Sequence, residues 1–218
     1  VNFLKRLLRR GGEPPASPLT PGLARQIRAS FEDAARDEEH FPSTIDPRIE
    51  HVRLLVREFA ALPHPHIADA GSGKGRHSRV LAAEIPGARL VCADLSLGML
   101  AYVHPPLSPC AASMLALPFR DASFDAAFAI ESLEHAVDIP AAVAELCRIV
   151  RPGGRIAIID KNREQWGRLQ TPSWERWFTA AELEKLLRRH CRDVRCRPIS
   201  YWADVEPDGL FLAWTASR

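Results

Sequence analysis

Ile67-Ala68-Asp69-Ala70-Gly71-Ser72-Gly73-Lys74-Gly75, residues 67–75, is a short apolar run that meets an acid and then opens into three alternate glycines. The run reads as a strand over 66–70, and helical spacing follows over 76–84. In an open parallel sheet, ligands bind beyond the carboxyl ends of the strands, where such a strand-to-helix loop lies. A tight turn alone needs one glycine; three remove every Cβ that would hold a ligand off the main chain. The dinucleotide fingerprint G-x-G-x-x-G fails, because its third glycine would fall on Arg76. The phosphate-binding P-loop fails too, since Lys74 is not followed by Ser or Thr and the four-residue gap is missing. A loop that approaches its ligand closely without a pyrophosphate signature suits a nucleoside carrying an amino-acid tail.

Working outward, short apolar runs alternate with helical segments after Pro63, the pattern of parallel strands with crossover helices. Further strands are expected over 89–93, 108–112, 124–130 and 154–160, with helices over 96–103 and 139–150. A helix over 179–190 then precedes two late strands over 194–201 and 209–215. The expected fold is α/β, a doubly wound, seven-stranded, mostly parallel sheet with helices on both faces. Upstream, helical spacing covers 23–36 and 46–61; Asp46-Pro47 reads as an N-cap followed by proline at the first helical position. These N-terminal helices, 23–62, are expected to cover the site of a domain spanning 63–218. Residues 11–22, GGEPPASPLTPG, hold too many prolines and glycines for a regular element and read as a linker.

The 218 residues suffice for one buried core, and 46% hydrophobic with 26% charged residues describes a soluble globular protein. No apolar run reaches the roughly 18 residues that span a bilayer. The formal net charge of +2 is a property of the tail, where Lys5, Arg6, Arg9 and Arg10 have no acidic partner. Phe3, Leu4, Leu7 and Leu8 share a helical face opposite those charges, which admits weak membrane-surface contact through residues 1–10, a frayed terminus, or a helix packed on its own domain. A secretory signal is disfavoured by the interrupting charges, and five unpaired-looking cysteines fit reduced thiols and a cytoplasmic location. Cys191 and Cys196 lack the partner pair a zinc site needs, so no metal is expected.

The second strand ends at Asp94, beside the glycine loop, where a carboxylate accepts hydrogen bonds from ribose hydroxyls or caps the following helix. With it, four blocks carry a resemblance: IADAGSGKGRHS, VCADLSLGML, ASMLALPFRDASFDAAFAIESLEH and ELCRIVRPGGRIAIID, in order from Ile67 to Asp160. They resemble the class I S-adenosylmethionine-dependent methyltransferases, especially the ubiquinone/menaquinone-type, methyltransferase domain 11-like branch. The resemblance implies a Rossmann-like fold and S-adenosylmethionine as methyl donor, leaving S-adenosylhomocysteine. It implies that Gly71, Ser72, Gly73 and Gly75 hug the methionine part and that Asp69 orients the loop and reaches the amino group. Asp94 is implied at the ribose, with Leu95 and Met99 covering the adenine. Ser113, followed by Met114, stands where relatives commonly carry an acid for the adenine amine. Ile130 and Glu131 begin the segment whose backbone meets the cofactor, and His135 lies near the substrate mouth. His135 or Glu131 is thus the candidate proton acceptor, with a structural cap as the other reading of His135. Lys74 replaces a frequent threonine.

The substrate side rests on residues 162–178, a long connection with Trp166, Trp174 and Trp177 among Arg163 and other arginines. It reads as a lid over an aromatic or anionic small molecule, or as tryptophans anchoring an irregular segment. Lys185, Arg188, Arg189, Arg192, Arg195 and Arg197 form a basic cluster that would meet RNA phosphates or simply face solvent. The expected function is methyl transfer to a small-molecule metabolite; the alternatives are an RNA-modifying methyltransferase and a non-catalytic domain that binds the cofactor to regulate a partner.

Overall fold

A computed structural model describes residues 8–9 and 20–218. Its centre is β5 (Phe124–Ile130), whose alternation of alanines with Phe124, Phe128 and Ile130 leaves it apolar on both faces, as a strand covered from both sides must be. Beside it lie β2 (His66–Ala70), β3 (Arg89–Asp94), β4 (Ser108–Ala111) and β6 (Val150–Lys161), all parallel to it. The last strands, β8 (Arg192–Ile199) and β9 (Phe211–Ser217), are joined so that β9 runs antiparallel to both β6 and β8. The seven-stranded order is β4-β3-β2-β5-β6-β9-β8, with the reversal of winding between β2 and β5. The expected doubly wound sheet is present.

Two apolar layers sandwich it. On one face α2 (Glu50–Phe59) and α3 (Arg76–Glu84) bury Val52, Leu55, Phe59 and Leu81 against Ile67, Phe128 and Ile159. On the other, α5 (Ile139–Ile149) and α6 (Ala180–Leu187) pack Leu146, Leu183 and Leu187 with Phe178 and Trp214. The buried thiols of Cys147 and Cys191 approach to 3.5 Å between α5 and the turn after α6.

The N-terminal additions differ from expectation in three ways. First, α1 spans Pro21–Ala34 rather than starting at Leu23: Thr20 Oγ1 accepts from Leu23 N at 3.1 Å and Pro21 occupies the first turn, so part of the expected linker is helix. Second, Asp46 does not cap α2. Its carboxylate accepts from Arg48 N at 2.9 Å and pairs with that guanidinium, which closes a separate turn, and the helix begins only at Glu50. Third, α2 packs on the sheet, so of the two helices only α1 reaches the ligand cavity.

Of the tail, Leu8–Arg9 form β1, antiparallel to β7 (Thr171–Pro172), an extended state rather than a helix at those two residues. The remaining readings of the tail and of linker residues 11–19 lie outside the described residues. Short α4 (Leu97–Leu100) is capped by Ser96 and tied to α1, whose Glu32 accepts from Leu97 N and Gly98 N at 2.7 Å each. No helix among the described residues is long and apolar enough to cross a membrane.

Because Phe128 is fully buried between Phe59 and the sheet, Phe128→Ala should cost about 3–5 kcal/mol of unfolding free energy, measured by urea denaturation.

Candidate functional site

The carboxyl ends of β2, β3, β5 and β6 open into one cavity of about 640 Å³, within the range of small-molecule sites. The glycines of the first loop serve different ends. At Gly71, φ is +76° and an added Cβ would lie 2.5 Å from Ser132 Cβ, so this glycine lets the β5 tip cross the loop. Ser132 Oγ there donates to Ala70 O at 2.9 Å. At Gly73, φ is +53° and a Cβ would meet nothing within 4 Å, so bare main chain faces open space. Gly75 is the N-cap of α3.

Asp94 fixes this bare segment. One oxygen accepts from Gly73 N at 2.7 Å and the other from Ser96 N at 2.8 Å. Asp94 therefore stands beside the glycine loop, while the cap of α4 that sequence also offered it falls to Ser96, whose Oγ accepts from Met99 N at 3.1 Å. Burial raises the Asp94 carboxyl above its usual range, while those two backbone N–H groups oppose the rise. Asp69 sits deeper, accepts from Ser78 Oγ at 2.7 Å, and is pushed by burial up to about 7. Lys74, buried, bonds Glu38 at 2.5 Å and lies 4.4 Å from the Tyr102 ring centroid, pinning the chain after α1 to the loop.

Asp69, Gly71, Ser72, Gly73, Asp94, Leu95, Met99, Ser113, Met114, Ile130, Glu131 and His135 all line the cavity. Gly75 does not, since it points to Val103 and Leu107. Ser113 Oγ accepts from Leu115 N at 3.2 Å and shapes a turn. Glu131 has φ of +46° at the strand tip, a left-handed conformation uncommon for a side-chain-bearing residue. Its carboxylate lies 3.8 Å from His51 Nδ1 and 4.0 Å from Arg76, and its N–H donates to Ile159 O. The His135 imidazole stands edge-on to Phe31 and burial lowers its pKa to about 4, so it is neutral near pH 7.

The segment after β6 contributes only its middle. Leu169, Gln170, Thr171, Pro172, Trp174 and Glu175 line the cavity, whereas Trp166, Trp177 and Arg163 do not. Arg163 turns outward to Glu182 at 2.5 Å, and Trp177 is buried, donating to Glu175 Oε1 at 2.7 Å with Trp166 against its ring. These three act as anchors, the second reading of the segment, because an indole and an arginine fork find partners within the fold.

Sequence reading missed the inner wall. Lys161 follows the end of the expected strand, and its ammonium bonds Glu134 and, at 3.1 Å, Glu175. Glu134, His135 and Glu175 offer ligand atoms within 4.8 Å of one another, but Lys161 already supplies a positive charge there. The strand-tip rule that found Asp94 applies to Lys161; nothing local ties it to Glu175, on another segment. Ile27 and Phe31 of α1, with Phe41, form the apolar mouth.

The basic cluster lies elsewhere. Arg188, Arg189 and Arg192 line a second cavity with Pro152, Gly153 and Ser217, at the sheet edge opposite the glycine loop, and Arg197 pairs with Glu50 at 3.0 Å.

Residues 68–158 match the family model of a methyltransferase domain. The chain is 28% identical over 201 residues to a demethylmenaquinone methyltransferase of Parafrankia sp., covering 81% of this chain and 76% of that protein. It is 38% identical over 153 residues to the O-methyltransferase resE of Aspergillus sclerotiorum, covering 66% of this chain and 56% of that one. Among solved structures, the [4+2]-cyclase SpnF superposes with a TM-score of 0.76 at 16% identity, over 96% of this chain and 99% of that one. Phosphoethanolamine N-methyltransferase 2 of Haemonchus contortus, in complex with S-adenosyl-L-methionine, gives 0.68 at 14% identity over 86% of this chain and 60% of that one. At those identities the likeness is one of fold. The strand order of the sheet, the glycine loop and the matched segment together define a class I methyltransferase domain. It is an S-adenosylmethionine-dependent methyltransferase of the domain 11 type, with that molecule as its methyl donor.

Gly71→Ala forces its Cβ into Ser132, while Gly73→Ala meets only the cost of its φ. Thermal denaturation should show the first losing more stability than the second, with the second near about 1–2 kcal/mol.

Proposed function

We propose that the chain methylates a small-molecule metabolite inside this one cavity. The supporting observation is that a bare main-chain cradle at Gly73 and the buried polar residues Glu134, Lys161 and Glu175 line the same cavity. S-adenosylmethionine, when bound, supplies a methyl on a sulfonium. The chain has to bind, orient and exclude water. Gly71, Ser72 and Gly73 hold the methionine part, Asp69 its ammonium, Asp94 the ribose hydroxyls, and Leu95, Met99 and Met114 the adenine, with Ser113 beside it. Ile130 and Glu131 give the backbone at the strand tip. Alignment of reacting groups supplies up to roughly 7–11 kcal/mol in favourable intramolecular systems, so positioning is the main demand. His135 lines the cavity as a neutral imidazole and is the group placed to take the acceptor's proton where one must leave, though burial makes it a weak base; Glu131 is held toward Arg76 and His51, which suits a shaping role.

The RNA reading has less support, because the arginine cluster sits at the sheet edge remote from the cradle. Of the two relatives named above, the demethylmenaquinone methyltransferase carries a small molecule in its name. Labelled-methyl incorporation into a metabolite pool, and none into bulk tRNA, is the expected result; the reverse would overturn the proposal. Binding of the donor without transfer to either would point to a regulatory domain.

Calorimetric titration with S-adenosylmethionine should show binding that Asp94→Ala or Gly73→Val weakens by about 10-fold or more, as loss of a charge-assisted hydrogen bond or filling of the cradle requires. Unchanged affinity would defeat the assignment.

The pH dependence follows from Asp69. Its folded-state pKa is raised, so it favours folding at low pH, and that contribution is lost as pH rises from the ordinary carboxylate range through about 7. A ligand ammonium favours the ionised form. Affinity for S-adenosylmethionine should therefore rise between pH 6 and 8, and Asp69→Asn should flatten the profile.

A further inference from the structure

The five cysteines are all free, and two of them meet. Cys147 Sγ, near the end of α5, lies 3.5 Å from Cys191 Sγ, in the turn between α6 and β8, 44 residues away in the chain. The two thiols are not equivalent. Cys147 is 1% exposed, whereas Cys191 is 8% exposed and lines the second cavity with Arg188, Arg189, Arg192 and Arg218. Arg218 is fixed there by donating to Arg148 O and Val150 O at the end of α5. The Cys147 S–H donates to Cys191, and this bond, aided by the Arg218 charge, lowers the Cys191 pKa; the same bond and burial raise that of Cys147. A thiolate is the reactive form of cysteine, and basic surroundings favour it. Reachability and acidity therefore select the same sulfur, Cys191, as the one that reacts first.

A disulfide holds its sulfurs about 2.05 Å apart, so this pair has to close by roughly 1.5 Å. Cys147 sits in regular helix, but the Cys191 side is irregular. Asp193, two residues on, has φ of +49°, and the pairing of β8 with β9 shifts register between Arg192 and Arg195. Strand β8 is also the edge of the sheet. A bulge on an edge strand leaves residues outside the ladder, so the Cys191 turn can shift without breaking sheet hydrogen bonds.

We propose that Cys191 is a site of reversible oxidation by a peroxide reaching it through the second cavity, with Cys147 as the resolving thiol that completes an intramolecular disulfide. In the first step the Cys191 thiolate attacks one peroxide oxygen and the O–O bond breaks. The sulfur gives up two electrons and becomes a sulfenic acid, and the departing hydroxide takes a proton from solvent to leave as water. In the second step the Cys147 sulfur attacks the Cys191 sulfur, an S–S bond replaces the S–O bond, and the Cys147 proton leaves with the hydroxyl as a second water. The new bond joins α5 to the turn before β8, at the sheet edge opposite the glycine loop, so it stabilises the fold and leaves the cofactor cavity unchanged.

The test exposes the full chain, reduced and freed of reductant, to a small molar excess of hydrogen peroxide at pH 7.5 and maps its peptides by mass spectrometry without reduction. A Cys147–Cys191 linked peptide pair is expected, lost again on adding dithiothreitol. The oxidised chain should melt roughly 5 °C or more above the reduced one, as closure of so long a loop requires. In Cys147→Ala, oxidation should stop at a Cys191 sulfenic acid captured by dimedone; in Cys191→Ala, Cys147 should stay a thiol. Cysteines that remain reduced in the native chain, a disulfide through Cys92, Cys110 or Cys196 or between two chains, oxidation of Cys147 in Cys191→Ala, or a melting point that does not rise would each overturn the proposal. Calorimetric affinity for S-adenosylmethionine should be the same in both redox states, and a loss on oxidation would overturn the independence of the two sites.

Discussion

The Asp94 carboxylate holds the Gly73 N–H at 2.7 Å, and that bond sets the geometry on which the rest of the site depends. It ties the tip of β3 to the loop after β2, so the bare main chain stands where two neighbouring parallel strands end. The same carboxylate receives Ser96 N, which starts α4 and carries Met99 to the cavity wall. One side chain thus fixes the loop, the next helix and the apolar wall between them. Placing it there costs desolvation, and the backbone donors offset that cost.

Around this junction the protein closes the cavity from three directions. Ser132 crosses from β5 and needs Gly71 to pass. Helix α1 lies over the mouth, held by Glu32 at the start of α4, while the chain after it is held by Glu38 on Lys74. The middle of the long connection after β6 forms the remaining wall, anchored by Trp177 and by the pairing of Thr171–Pro172 with Leu8–Arg9. Apart from the bond of Trp177 to Glu175, each of these contacts joins segments far apart in the chain.

The inner wall follows a different logic. Buried Glu134 and Glu175 share a single ammonium, that of Lys161, and the charge of buried Asp160 lies close enough to be felt there. The acids hold Lys161 charged, raising its pKa despite burial, and the ammonium in turn makes burial of the carboxylates tolerable.

Local chemistry carried the strands, helices and glycine loop in the sequence itself. The strand over 66–70 and the helix over 76–84 were legible because apolar periodicity and glycines are properties of adjacent residues. Asp94 was legible because a strand-tip acid next to such a loop has few other uses. The caps were less so: Asp46 lost α2 to a nearer partner, Arg48, and Thr20 began α1 inside the expected linker. What the tertiary structure alone decided was which side chains meet. Trp174 faces the cavity while Trp177, three residues on, is consumed by Glu175; Lys161 finds Glu134 and Glu175 across 27 and 14 residues of chain. Sequence spacing fixes periodicity and turn chemistry, but the partners of a buried charge are set by packing between distant segments, where the cost of an unpaired group selects the arrangement.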